Sequence, residues 1–175
     1  MKRAIRRAEI LLPFSDYNKL ETSKEGIVKL IICMVISLSI EFVLFYYKGI
    51  LEASTLINYI NDFISLEIDI IALLLSFSIA YLTMLISAEG QNIRRIKIYE
   101  TKIEIDGKKI TLYQILLIQL TYTIYCEIVL LLLLLIHKLL ILLFSIEINM
   151  LFLIVDIIIL INILYIIIKN VKNIY

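Results

Sequence analysis

Four long apolar stretches, each near the length needed to cross a lipid bilayer, constrain this 175-residue chain more than any motif does. A helix rises about 1.5 Å per residue, so roughly 20 apolar residues cross a hydrocarbon slab about 30 Å thick. The stretches cover 27–47, 70–87, 112–136 and 148–168. The segment from His137 to Glu147 is itself apolar, so a third helix continuing to Phe144 is the alternative boundary. Hydrophobic residues make up 62% of the chain, against about 45–50% in a soluble domain. A soluble fold of this size could not cover that much apolar surface with its own polar groups. One proline and four glycines leave long helices uninterrupted. The expected fold is therefore an all-α membrane protein of four transmembrane helices.

Basic residues orient such a bundle, because lysine and arginine accumulate on the cytoplasmic side. Fifteen of the seventeen fall before the first stretch or at its inner edge (Lys29), between the second and third, or after the fourth. Only Lys48 and Lys138 fall on the other side, whose first loop carries Glu52, Asp62, Glu67 and Asp69. Both termini are thus expected in the cytoplasm. Residues 1–26 form a basic cytoplasmic segment and 27–175 the four-helix domain, with 88–111 as its cytoplasmic loop. No cleavable signal peptide is evident, since Pro13 breaks the short run Ile10-Leu11-Leu12. The first span then serves as its own insertion signal.

The loops have patterns of their own. Leu56, Ile57, Ile60, Phe63 and Ile64 recur at helical spacing, with Ser54 as N-cap. They predict a short external amphipathic helix over 50–66, lying on the membrane surface. Inside, Lys102 to Ile105 and Lys108 to Thr111 flank Asp106-Gly107, a turn pair suited to a β-hairpin. Residues 93–99 ahead of it could supply a third strand. A lone hairpin is marginal in water, so this one needs a neighbouring copy, the N-terminal segment or a partner protein to pack on. In the N-terminal segment Met1, Ile5, Ala8 and Leu12 share a helical face. Arg3, Arg6 and Arg7 lie elsewhere and, with Arg94, Arg95, Lys108 and Lys109, are candidate contacts for anionic lipid or a cytosolic partner.

The residues most informative about function are acids inside the spans, where an ionisable group is costly and marks a functional site by default. Glu41, Glu127 and Asp156 lie roughly 21, 22 and 18 Å from the inner ends of their helices, which predicts one acidic layer. Such acids either hydrogen-bond between helices or line an aqueous path that favours cations. Ser37, Thr123 and Asn162 share the polar sides of the same spans and are the other candidate pore-lining residues. Ser76, Ala80, Thr83 and Ser87 form a small-residue stripe suited to close helix packing.

Other chemistry is poorly supported. Cys33 and Cys126 lie inside apolar segments, and no zinc-type spacing exists, so neither a disulfide framework nor a metal site is expected. The only histidine, His137, reads as a solvated residue at the outer membrane surface. Phosphate-binding, dinucleotide-binding, zinc-protease and serine-hydrolase motifs are missing from the sequence. No enzyme activity, no cofactor and no nucleic-acid partner is expected.

Four helices make a narrow path, so copies are expected to assemble, most simply as a closed ring in which one acid per subunit becomes a circle of charge. The leading expectation is an oligomeric channel that permeabilises the membrane. A non-conducting anchor, immunity or assembly subunit is the alternative, and a small proton-coupled exporter is the third. The basic N-terminus, the four spans and the inner loop from Ile93 to Thr111 resemble, in architecture, the small four-helix membrane effectors of bacterial anti-phage operons. That resemblance implies an inner-membrane protein that depolarises the cell when a partner senses infection, and it implies no site residues.

Orientation is directly testable. Single cysteines placed at Ser54 and Lys108 should label from opposite sides of the membrane in intact cells. Labelling of both from the same side would overturn the four-span arrangement.

Overall fold

In a computed structural model, which describes residues 17, 18, 20, 23–105 and 108–174, the chain is almost entirely helical. Helix α1 is Ser23–Lys48, α2 is Ala53–Ser87, and α3 is the short Gln91–Ile98. Strands β1 (Glu100–Ile105) and β2 (Lys108–Thr111) follow, then α4 (Leu112–Leu140) and α5 (Ile146–Ile174). Four of these helices are long and apolar enough to cross a membrane, over Gly26–Lys48, Ala53–Ser87, Leu112–Leu140 and Ile146–Lys169. Each of the four expected apolar stretches is helical, as part of a longer helix.

The largest departure from expectation is α2. The predicted surface helix over 50–66 and the second span are one continuous helix of 35 residues. Nothing between Leu66 and Ile70 breaks a helix, and a single buried stripe runs through the supposed boundary. Leu56, Ile60, Ile64, Glu67, Ile71, Ser78 and Leu85 repeat at intervals of three, four or seven, the spacing of a side facing partner helices. Leu56, Ile60 and Ile64 are core residues rather than an interfacial face. Glu52, not Ser54, occupies the N-cap, and it makes no side-chain capping bond.

Helix α4 lies at the centre, packed between α2 and α5, while α1 lies along the outer side of α5. The buried positions of α4 include Gln119, Thr123, Cys126, Leu130, Leu134 and His137, again a seam with a period near 3.5. On α1, by contrast, Cys33 and Ser37 are buried while Leu30, Val35, Phe42 and Phe45 are exposed. A helix so apolar on its outer side needs lipid or protein to cover it.

The expected hairpin forms. β1 and β2 pair antiparallel with Ile105 opposite Lys108 and Glu104 opposite Lys109, then shift register before Glu100 meets Thr111. The Asp106-Gly107 turn itself lies outside the described residues. Of the packing partners open to it, the N-terminal segment supplies one: Leu20 clusters with Ile110 and Ile115, and Ile105 and Ile118 close over them. No third strand precedes the hairpin, because the residues from Gln91 to Ile98 form α3 instead. Thr111 then starts α4 with a capping box. Its hydroxyl accepts from the Gln114 amide while the Gln114 side chain accepts from the Thr111 amide.

At the opposite end, α4 continues past the expected limit to Leu140, and a turn over 141–144 leads into α5. Asn149 ties this turn down by donating from Nδ2 to the carbonyls of Ile141 (2.9 Å) and Phe144 (3.3 Å).

The continuity of α2 can be measured. Spin labels at the exposed Ser54 and Ala80 should lie about 39 Å apart along one straight helix. A surface helix joined at a right angle near residue 67 would bring them to roughly 28 Å.

Candidate functional site

Polar side chains in an apolar bundle are stable where a neighbouring helix offers a partner. The buried seam between α2, α4 and α5 carries two such places. In the first, Ser78 of α2 donates from Oγ to Oε1 of Glu127 on α4 at 2.9 Å, with Glu127 fully buried. The other Glu127 oxygen, Oε2, has no hydrogen-bond partner.

The second lies toward the end away from the hairpin, within three turns of the α4–α5 turn. Nδ1 of His137 on α4 is 2.9 Å from Oδ2 of Asp156 on α5, both side chains being almost wholly enclosed. Glu67 of α2 is 2% exposed and lies eleven residues from Ser78, as His137 lies ten from Glu127, so the Ser78–Glu127 bond sets Glu67 at the level of His137. Both Glu67 oxygens and Nε2 of His137 are without hydrogen-bond partners. Phe152 lies against the imidazole with ring centres 5.3 Å apart and itself stacks on Phe144, forming an apolar wall beside the pair. No lysine or arginine is buried among the described residues.

These contacts correct the single acidic layer. Glu127 and His137 are ten residues apart on one continuous helix, roughly 15 Å, and Asp156 is hydrogen-bonded at the level of His137. The acids therefore occupy two levels. Glu41 is seven residues from Lys48, and Asp156 nine from Glu147, and these two ends are joined by the Lys48–Glu147 salt bridge. The backbone of Glu41 thus lies near the Asp156 level, and its side chain is outside the described residues. His137 is likewise not a solvated surface residue, since it is 1% exposed and paired.

The remaining candidates divide plainly. Thr123 and Ser37 are buried, and each hydroxyl donates to a carbonyl four residues back on its own helix, Gln119 and Cys33 respectively. Asn162 is half-buried and, with Lys29, Cys33 and Ile159, lines a mainly apolar groove between α1 and α5. Ser76, Ala80, Thr83 and Ser87 are exposed, so the chain's own helices do not use that stripe for packing. The hydroxyls of Ser76, Thr83 and Ser87 donate back to their own helix, at Ala72, Ile79 and Thr83. This leaves them no need of a polar partner in lipid. Arg94, Arg95 and Lys109 are exposed around the hairpin end. The side chains of Arg3, Arg6, Arg7 and Lys108 lie outside the described residues.

Glu67 and His137 are the site residues that sequence reasoning missed. Both lie where a helical stripe calls for an apolar side chain: Glu67 between Ile64 and Ile71, His137 three residues after Leu134. Extending each stripe by one turn would have placed both inside. No protein-family model, curated protein or solved structure matches the chain.

A double-mutant cycle with His137→Phe and Asp156→Leu, unfolded in bilayer-like bicelles, should give an interaction energy of about 1–2 kcal/mol. Additive effects would show that the pair does not hold α4 against α5.

Proposed function

We propose that this chain is the subunit of an ion-conducting protein of the bacterial inner membrane, with both termini in the cytoplasm. The observation that carries the proposal is the α2–α4–α5 seam, where two acidic positions roughly 15 Å apart hold carboxylate oxygens without partners. Among the described residues no lysine or arginine is buried to neutralise them, so these groups favour cations. They cost stability in an apolar bundle, and a purely structural helix would be better served by leucine.

The path in this reading runs through each subunit rather than around a ring of Glu41, Glu127 and Asp156. Assembly of copies is still part of the proposal. The exposed apolar side of α1 and the self-satisfied stripe of α2 are surfaces on which a second copy could pack. The basic hairpin end, with Arg94, Arg95 and Lys109, faces the cytosol in this orientation and suits a triggering partner or anionic lipid. An effector that depolarises the cell during phage infection fits that arrangement.

One feature favours the non-conducting subunit instead. Glu127 and Asp156 each have a hydrogen-bonding partner on a neighbouring helix, Ser78 and His137, which is also what helix glue does.

Expression with and without the genomic neighbours, with membrane potential followed by a voltage-sensitive dye, separates the two. The channel reading expects depolarisation that at least one of Glu67→Gln, Glu127→Gln and Asp156→Asn changes severalfold. Depolarisation unaltered by all three removes the seam as the path. A steady potential under every trigger favours the subunit.

A further inference from the structure

The conducting reading leaves the ion unnamed, and the chemistry of the second acidic position names it. Glu67, His137 and Asp156 lie at one level on three different helices, each at most 2% exposed. None is a lysine or arginine, and the described residues hold no group of three or more ligands arranged for a metal ion. The charged groups nearby are engaged or face outward. Lys138 of α4 donates to the Ser65 hydroxyl of α2 at 2.9 Å, Lys48 of α1 is held by Glu147 of α5, and Asp62 and Asp69 of α2 are exposed.

Fully deprotonated, the three groups would place two negative charges in an apolar interior with a neutral imidazole between helices. Each proton added removes one charge, and two protons bring the group to net neutrality, for example as imidazolium, carboxylate and carboxylic acid. Burying uncompensated charge is costly, and a proton is the smallest ion that relieves it. The imidazole is also oriented for the task. With Nδ1–H donating to Asp156, the Nε2 lone pair is the free base, since a neutral imidazole has one donor and one acceptor nitrogen. Nε2 has no hydrogen-bond partner among the protein groups, and neither do the Glu67 oxygens.

We propose that Glu67, His137 and Asp156 form a proton-binding station, and that the ion passing along the seam is the proton. Uptake forms an N–H bond at Nε2 of His137 or an O–H bond at the Glu67 carboxylate. Release breaks the same bond and leaves the electron pair on nitrogen or oxygen, so no other reactant is consumed. Asp156 positions the imidazole and stabilises its charged form. The Phe144–Phe152 wall keeps the station in an apolar setting. This inference rests on the conducting reading for its transport part, whereas proton binding stands independently of it.

The experiment therefore has two arms. Purified full-length protein in liposomes, loaded with a pH-sensitive dye, is given a proton gradient and, separately, a potassium gradient. The expected result is proton flux that falls at least tenfold in His137→Gln and in Glu67→Gln. Potassium flux without proton flux, or proton flux unchanged in both variants, would overturn the proton as the ion. No flux of either kind would instead sink the conducting reading. The second arm follows the imidazole by nitrogen-15 NMR as pH is varied. His137 is the only histidine, so its signal is unambiguous in the unaltered protein. A titration midpoint that moves in Glu67→Gln or Asp156→Asn supports the station, and a midpoint insensitive to both would refute it.

Discussion

A polar side chain within an apolar helix fixes the register of whatever packs against it, because its partner must arrive at one level only. The His137–Asp156 hydrogen bond does this for α4 and α5, and the Ser78–Glu127 bond does it for α2 and α4. Leucine and isoleucine alone would permit several registers of nearly equal packing energy, since lipid tails are as apolar as the residues themselves. With both bonds in place, sliding α4 by one turn would strand a carboxylate on each side. The core residues Ile64, Ile71, Leu130, Leu134 and Ile163, all essentially inaccessible, take their neighbours from that register. The Asn149 contacts to Ile141 and Phe144 then close the α4–α5 turn in the same alignment.

The same groups that set the alignment are the ones able to carry charge. Hydrogen bonds satisfy one oxygen of Glu127 and the Nδ1 side of His137, and leave Oε2, Nε2 and the whole Glu67 carboxylate without partners. A structural polar contact would be expected to use up its donors and acceptors. Glu67, Glu127 and His137 concentrate this surplus in the seam. The hydroxyls of Ser76, Thr83 and Ser87, on the outside of α2, are each satisfied by their own helix. Polar capacity is thus spent outside and kept in reserve inside, which is why the seam rather than the outer stripe carries the functional reading.

Hydropathy alone located the four helices long and apolar enough to cross a membrane, because about 20 apolar residues in a row admit few alternatives. The hairpin was legible for a different reason: alternation around Asp106-Gly107 is a local signal that tertiary packing had no cause to override. The extent of α2 was not, since acidic residues at 62, 67 and 69 mark a loop when only charge is read. The buried stripe passing through Glu67 shows the charge lying on an interior side, and a stripe is visible only once the helix is known to continue. Depth along separate helices was also a poor guide to neighbourhood. Asp156 and Glu127 appear level when each helix is counted from its own inner end, yet α4 and α5 are staggered by the His137 contact. Which helices touch, and at what offset, depends on pairwise packing that no single segment encodes.

The central claim is that the ionisable groups belong to one seam within one chain, with His137 held by Asp156 at hydrogen-bond distance. Solid-state NMR of the protein in lipid bilayers, with nitrogen-15 in its single histidine and carbon-13 in its aspartate carboxyls, measures that separation directly. The 2.9 Å contact predicts a strong dipolar coupling between the imidazole nitrogen and one carboxyl carbon, lost in Asp156→Asn prepared with the same labels. A histidine without measurable coupling to any aspartate, in protein that is folded and inserted, would contradict the account.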